Sequence, residues 1–252
     1  MKKYIMLSAV SIILIVGGIT SYFRIISYLH NQRAREESRQ LELIFNNVEV
    51  DSKLPSVLII GDSISIAYTL PVRRRLEGIA NVMRPPENCA STLMILENLD
   101  RWLGQTRWTV IHFNAGLHDL EHVQSENVAP GRHIMVPIKK GPQWVAVESY
   151  RSNLEKIVER LKKTGATLIF ATTTPVPAGE WSRASEDVAR YNEAALDVMH
   201  ENGVLIDDLN SVAVESAYRF QKPGDVHFSE AGSEILADSV AASIQAALSE
   251  KP

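Results

Sequence analysis

From Leu54 onward the sequence alternates apolar runs of strand length with amphipathic stretches of helix length. A chain with that pattern is restricted to βα units around a parallel sheet that is covered on both faces. The first run, Ser56-Val57-Leu58-Ile59-Ile60, stops at Gly61-Asp62-Ser63, and the pattern predicts a second strand over 79–83 before Pro85-Pro86. A helix is expected from Ser91 or Thr92 to Leu103, then a strand over 108–114 that breaks at Ala115-Gly116. Residues 121–144, with Pro130-Gly131 and Gly141-Pro142, read as a long loop, and long loops in compact domains tend to carry function. Further helices are expected over 145–163, 185–201 and 229–248, and strands over 167–172 and 204–206. No repeat and no second core is evident, so residues 54–252 form one domain. The single cysteine, Cys89, excludes an intrachain disulfide, and at this length a hydrophobic core suffices without one.

The first 53 residues have a different character. Tyr4 to Phe23 is an uncharged stretch between Lys3 and Arg24, long enough for a helix to cross a bilayer. Residues 1–30 are therefore expected to be a membrane anchor or signal segment, and 31–53 a juxtamembrane linker. Val16-Gly17-Gly18 offers small residues for cleavage, but no A-x-A is present, and an uncleaved transmembrane helix is the favoured reading. Arg24, Arg33, Arg35 and Arg39 compete with Lys2 and Lys3 under the positive-inside rule, so the sequence leaves the orientation open. An extracytoplasmic, membrane-anchored location is the expectation. The net charge of −4 divides into +4 for residues 1–40 and −8 for the rest. Such an acidic domain lacks the basic excess that phosphate backbones require, and nucleic acid is not an expected partner.

In open parallel sheets ligands bind beyond the carboxyl ends of the strands. Gly61-Asp62-Ser63, Gly116-Leu117-His118-Asp119, Thr173 to Pro177 and Asp225-Val226-His227 all fall there or just before the last helix. A serine hydroxyl needs an adjacent base, itself oriented by an acceptor, to become a nucleophile. Ser63 sits on a strand-to-helix turn whose helix N-terminus offers N–H groups to an oxyanion. Asp225 and His227, two apart in an extended segment, point to the same side, so the carboxylate can hold the imidazole. Gly-Asp-Ser after a strand is by itself an ordinary turn and helix cap; His227 gives it chemical meaning.

The blocks GDSI (61–64), GLHD (116–119) and DVHF (225–228), in this order and spacing, resemble those of the SGNH (GDSL-type) hydrolases over residues 55–249. The resemblance implies a flavodoxin-like three-layer α/β/α sandwich. It also implies hydrolysis of carboxylic esters, such as acyl groups on carbohydrates or other small acyl esters, without metal or other cofactor. It assigns Ser63 as nucleophile, His227 as base and the Ser63 N–H to the oxyanion hole. Where the family pattern has an oxyanion asparagine this chain has His118, whose N–H can also donate; Asn114 is the alternative. The glycine N–H of the second block corresponds to the amide of Ala90. The family acid stands three before the histidine, where this chain has Gly224, so the acid moves to Asp225, with Asp207 or Asp208 as substitutes.

Three other readings accompany this one. The same Ser–His pair can pass the acyl group to an acceptor other than water. His118-Asp119-Leu120-Glu121-His122 matches the H-x-x-E-H arrangement of a zinc hydrolase, provided that it lies on a helix. The altered blocks also admit an inactive, membrane-anchored binding module. Trp144 and Trp181 are candidates for stacking on a sugar ring, with core packing as the alternative, and Arg84 and Arg132 are either substrate contacts or solvated loop charges. His112, inside an apolar strand, reads as a core histidine, and Cys89 as a small buried hydrophobe.

Overall fold

The computed structural model describes residues 49–125 and 132–249, together with residues 30, 32, 35–36 and 38–46. Strands β1 (Ser56–Ile60), β2 (Asn81–Met83), β3 (Val110–Phe113), β4 (Thr167–Ala171) and β5 (Leu205–Asp207) form one parallel sheet in the order β2-β1-β3-β4-β5. Every residue of β3 is buried, and β1 and β4 are buried beyond their first residue. Burial on both faces is why these strands read as continuous apolar runs instead of alternating patterns.

Helices α1 (Ser63–Arg75) and α6 (Glu230–Ser249) pack against each other, while α2 (Thr92–Leu103), α3 (Val147–Lys162) and α4 (Asp187–Asn202) pack side by side. With the sheet between them they make a three-layer α/β/α sandwich. The chain leaves β1 toward β2 and returns across β1 to β3, so the connections after β1 and β3 diverge. That switch point opens a crevice at the carboxyl ends of the two strands, where such folds bind ligands.

One segment adds to the expected pattern and one strand boundary needs correction. Residues 209–220 form a short helix α5 (Leu209–Val212), a π turn (Ala213–Ala217) and a 3₁₀ turn (Tyr218–Phe220). Asp208 caps α5 by accepting from the Ser211 N–H, a local device that apolar periodicity does not report. The expected second strand begins at Asn81 instead of Ile79 because Ile79 and Ala80 still donate to Leu76 at the end of α1. Residues 4–23, the expected transmembrane segment, lie outside the described residues. Among the described residues no helix is long and apolar enough to cross a membrane. The chain divides into two units, Met1–Leu43 and Ile44–Pro252, and the candidate site belongs wholly to the second.

Candidate active site

β1 ends in a turn that must lie close to α1. A Cβ on Gly61 would come within 2.9 Å of Ser65 Cβ and Oγ, so glycine is required there. Asp62 then caps α1 by accepting from the Ile64 N–H at 2.9 Å. Ser63 is therefore the first helical residue, and its N–H has no intrahelical acceptor. Arg84, buried, underpins the turn by donating to Gly61 O, Thr69 Oγ1 and Ser65 Oγ. It is neither a solvated loop charge nor part of the cleft lining.

His227 Nε2 lies 2.8 Å from Ser63 Oγ, and His227 Nδ1 lies 2.5 Å from Asp225 Oδ1, which also accepts the His227 N–H. These bonds hold Asp225 below the ordinary carboxylate range although partial burial pushes the other way. The three residues line a cleft of about 410 Å³ together with Asn88, His118, Glu121 and the 180–183 segment. The substitute acids are engaged elsewhere. Asp207 takes His112 Nε2 at 3.0 Å and Ser239 Oγ at 2.6 Å inside the core, and Asp208 caps α5.

His118 reaches the cleft because Gly116, at φ +152°, turns the chain where a Cβ would overlap Thr173 Oγ1. Beneath it, Glu121 is buried at the centre of a charged cluster. Arg183 ion-pairs with Glu121 Oε1 through Nη2, donates from Nε to Leu117 O at 2.8 Å, and holds Glu180 at 3.2 Å. Glu121 Oε2 lies 3.6 Å from His118 Nδ1 and 3.5 Å from His133 Nε2. Burial disfavours a charged His118, but the adjacent Glu121 carboxylate and then Asp62 outweigh it and raise the imidazole above its ordinary range. Burial likewise opposes the Glu121 charge and is overcome by His118, Arg183 and His133, while His133 itself is lowered by burial.

The other candidate donors are occupied or remote. The Ala90 N–H is taken by Asn88 Oδ1 at 2.9 Å in a tight turn with Ala90 at φ +47°, and Asn88, not Ala90, lines the cleft. Asn114 Nδ2 donates to Ala171 O at 2.8 Å, and the residue lines a separate small cavity. The helix that a zinc motif at 118–122 requires is not formed: the segment is a turn, and His122 faces away, with Nδ1 3.1 Å from Ser182 O. Among the described residues no group of three His, Cys, Asp or Glu is placed to hold a metal ion. Burial pushes the Cys89 thiol up to about 12, far from a reactive thiolate. Trp144 is wholly buried with His133 stacked on it at 3.8 Å, Trp181 is half exposed at the cleft, and Arg132 is exposed. Sequence reasoning missed Glu180, Arg183 and His133, which lie on loops where neither periodicity nor spacing marks them.

A family model described as GDSL-like Lipase/Acylhydrolase matches residues 59–235. The chain belongs to this family. The match spans the sheet from β1 into α6 and includes Ser63, His118 and His227. Among solved structures, this GDSL-like protein is similar to the lipase/acylhydrolase from Enterococcus faecalis, with a TM-score of 0.60 and 16% identity over 76% of this chain and 96% of that one. It is similar also to an acetyl xylan esterase, with a TM-score of 0.59 and 14% identity over 75% of this chain and 99% of that one. A variant of an acetyl-xylooligosaccharide esterase from Geobacillus Stearmophilus aligns at a TM-score of 0.55 and 17% identity, over 75% and 94% of the two chains. At these identities the likeness establishes the fold. No curated protein matches the chain significantly.

Proposed function

We propose that the chain is a serine-dependent carboxylic ester hydrolase acting on acylated carbohydrate or other small acyl esters. The observation that carries this reading is the continuous Asp225–His227–Ser63 arrangement opening on the cleft. Ser63 Oγ attacks the ester carbonyl as His227 Nε2 accepts its proton, and Asp225 keeps the ring oriented and stabilises its charge. The oxyanion forms at the start of α1, beside the Ser63 N–H and the His118 side chain. Collapse expels the alcohol, protonated by His227. Water, deprotonated by the same ring, then attacks the acyl-enzyme, so that the carboxylic acid leaves and Ser63 regains its proton. The acetyl xylan and acetyl-xylooligosaccharide esterases among its structural neighbours support the carbohydrate ester class, and half-exposed Trp181 supplies a face for a sugar ring.

We further propose that residues 1–30 anchor the hydrolase to a membrane, with residues 54–252 outside the cytoplasm. The uncharged run 4–23 supports that reading. The test of activity is a panel of acetylated sugars, aryl acetates and lysophospholipids with Ser63→Ala as blank. Near-complete loss in Ser63→Ala is expected, and full activity in that variant overturns the mechanism. Protease accessibility of a C-terminal tag in intact cells tests the location.

A further inference from the structure

Two buried polar atoms face each other beneath the cleft. His118 Nδ1 and Glu121 Oε2 are 3.6 Å apart, and neither has a hydrogen-bond partner within the ordinary range. The side chain of His118 is about one-fifth exposed although Nδ1 is sealed, so its accessible edge is the remainder of the ring. A carboxylate oxygen can only accept, and the pair is satisfied only with a proton on Nδ1. In a neutral ring that proton leaves a lone pair on Nε2, and a lone pair repels an oxyanion. Donation from Nε2 therefore needs the doubly protonated ring.

Resting on the ester hydrolase reading above, we propose that Glu121 is a positioning residue that holds His118 as an imidazolium, with Nδ1–H toward the buried carboxylate and Nε2–H left for the substrate oxyanion. The surrounding charges fit this assignment. Asp62 on the β1–α1 turn adds negative charge nearby, whereas Asp119, on the same turn as His118, is pushed toward its neutral form by burial. Arg183, from the 180–183 segment, opposes the imidazolium but is matched by both Glu121 and Glu180. His133, the other ring beside Glu121 Oε2, is driven toward neutrality by burial, so the positive charge belongs on His118. The oxyanion hole then carries a full charge where the family pattern has a neutral amide. Activity must fail at high pH, when His118 loses its Nε2 proton, in addition to the acid limb that any histidine base imposes.

The test is kcat/KM of the full chain on an aryl acetate from about pH 5 to about pH 10. The parent should give a bell, and Glu121→Gln should move the alkaline limb down by about one pH unit or more while the acid limb stays. His118→Asn should abolish the alkaline limb, and in that background Glu121→Gln should move nothing. Independently of activity, imidazole ¹⁵N spectra of histidine-labelled chain should show both His118 nitrogens protonated at about pH 7. A neutral His118 there, or Ser63-dependent activity with an acid limb alone or with an alkaline limb that Glu121→Gln does not move, overturns the proposal and leaves the esterase reading standing. Undiminished activity in Ser63→Ala overturns that reading and the proposal with it.

Discussion

Asp119 couples the turn that carries His118 to the start of α2, and its removal as a charge has a calculable effect. The carboxyl is fully buried; Oδ1 accepts the Thr92 N–H at 2.9 Å and the Thr92 hydroxyl at 2.5 Å, and Oδ2 has no partner. Burial raises the group from 3.8 to about 7, because the two Thr92 bonds recover only part of the lost hydration. Between these two values the native chain keeps a proton that the unfolded chain has released, so stability falls as pH rises through the window and levels off above it. A separation of about 3 units at 1.36 kcal/mol each gives a decline of about 4 kcal/mol. Asp119→Asn keeps the shape and an oxygen for both Thr92 donors but cannot titrate. Urea unfolding of parent and variant, followed by tryptophan fluorescence at steps from about pH 4 to about pH 8, isolates the residue in the difference of the two free energies. That difference should fall by about 4 kcal/mol as pH rises to about 7, then stay flat. A difference constant within about 1 kcal/mol would refute the assignment of a neutral, desolvated carboxyl to Asp119.

Asp225→Ala should lower kcat by roughly 10² or more on an aryl acetate, because the base then lacks its orienting partner; a loss of only a few-fold transfers that role elsewhere. Gly116→Ala drives a methyl into Thr173 and opposes the Thr173 hydroxyl bond to Ala115 O, costing about 1–3 kcal/mol. Calorimetry should register a drop in Tm of roughly 2–12 °C, and an unchanged Tm refutes the clash. Trp181→Ala should raise KM several-fold for an acetylated sugar and leave an aryl acetate nearly untouched, since the indole is half exposed at the cleft rim. Equal changes for both substrates would remove Trp181 from sugar recognition.

The architecture was legible because parallel strands advertise burial on both faces. Val57 to Ile60 and Val110 to Phe113 are unbroken apolar runs apart from His112, and the turn residues after them follow local rules of glycine and N-cap chemistry. Contacts between loops were not legible. Arg183 meets Glu121 across 62 positions, and nothing in the local sequence of either residue announces the other. His112 could be read as buried, but its partner Asp207 lies 95 positions away, at the end of β5. Ala90 and Asn114 misled for a related reason. Spacing identifies the loop on which a donor sits, whereas the direction of the donor depends on nearby acceptors, here Asn88 Oδ1 and Ala171 O.

Two of the three departures of this chain from the family pattern, those at Asp225 and His118, can be explained together by the cost of each group. An acid two residues before the histidine, instead of three, is expected to need extended backbone, but the chain instead bends at Val226 after a turn at Gly224 with φ +65°, which brings the carboxylate back onto His227. One oxygen of Asp225 then meets both the backbone N–H and the ring of His227, so the shorter spacing adds a constraint on the ring. The second departure makes a heavier demand. An asparagine donates without titrating, whereas His118 donates from Nε2 only when its other nitrogen is satisfied. A buried carboxylate beside Nδ1 meets that need, and a lone buried carboxylate in turn needs a cation. Arg183 provides it and, through its Nε bond to Leu117 O, grips the turn on which His118 stands. Replacing one neutral side chain at position 118 thus entails a buried acid, a cation paired with it and a loop to carry that cation, and Glu121, Arg183 and the 180–183 segment supply all three.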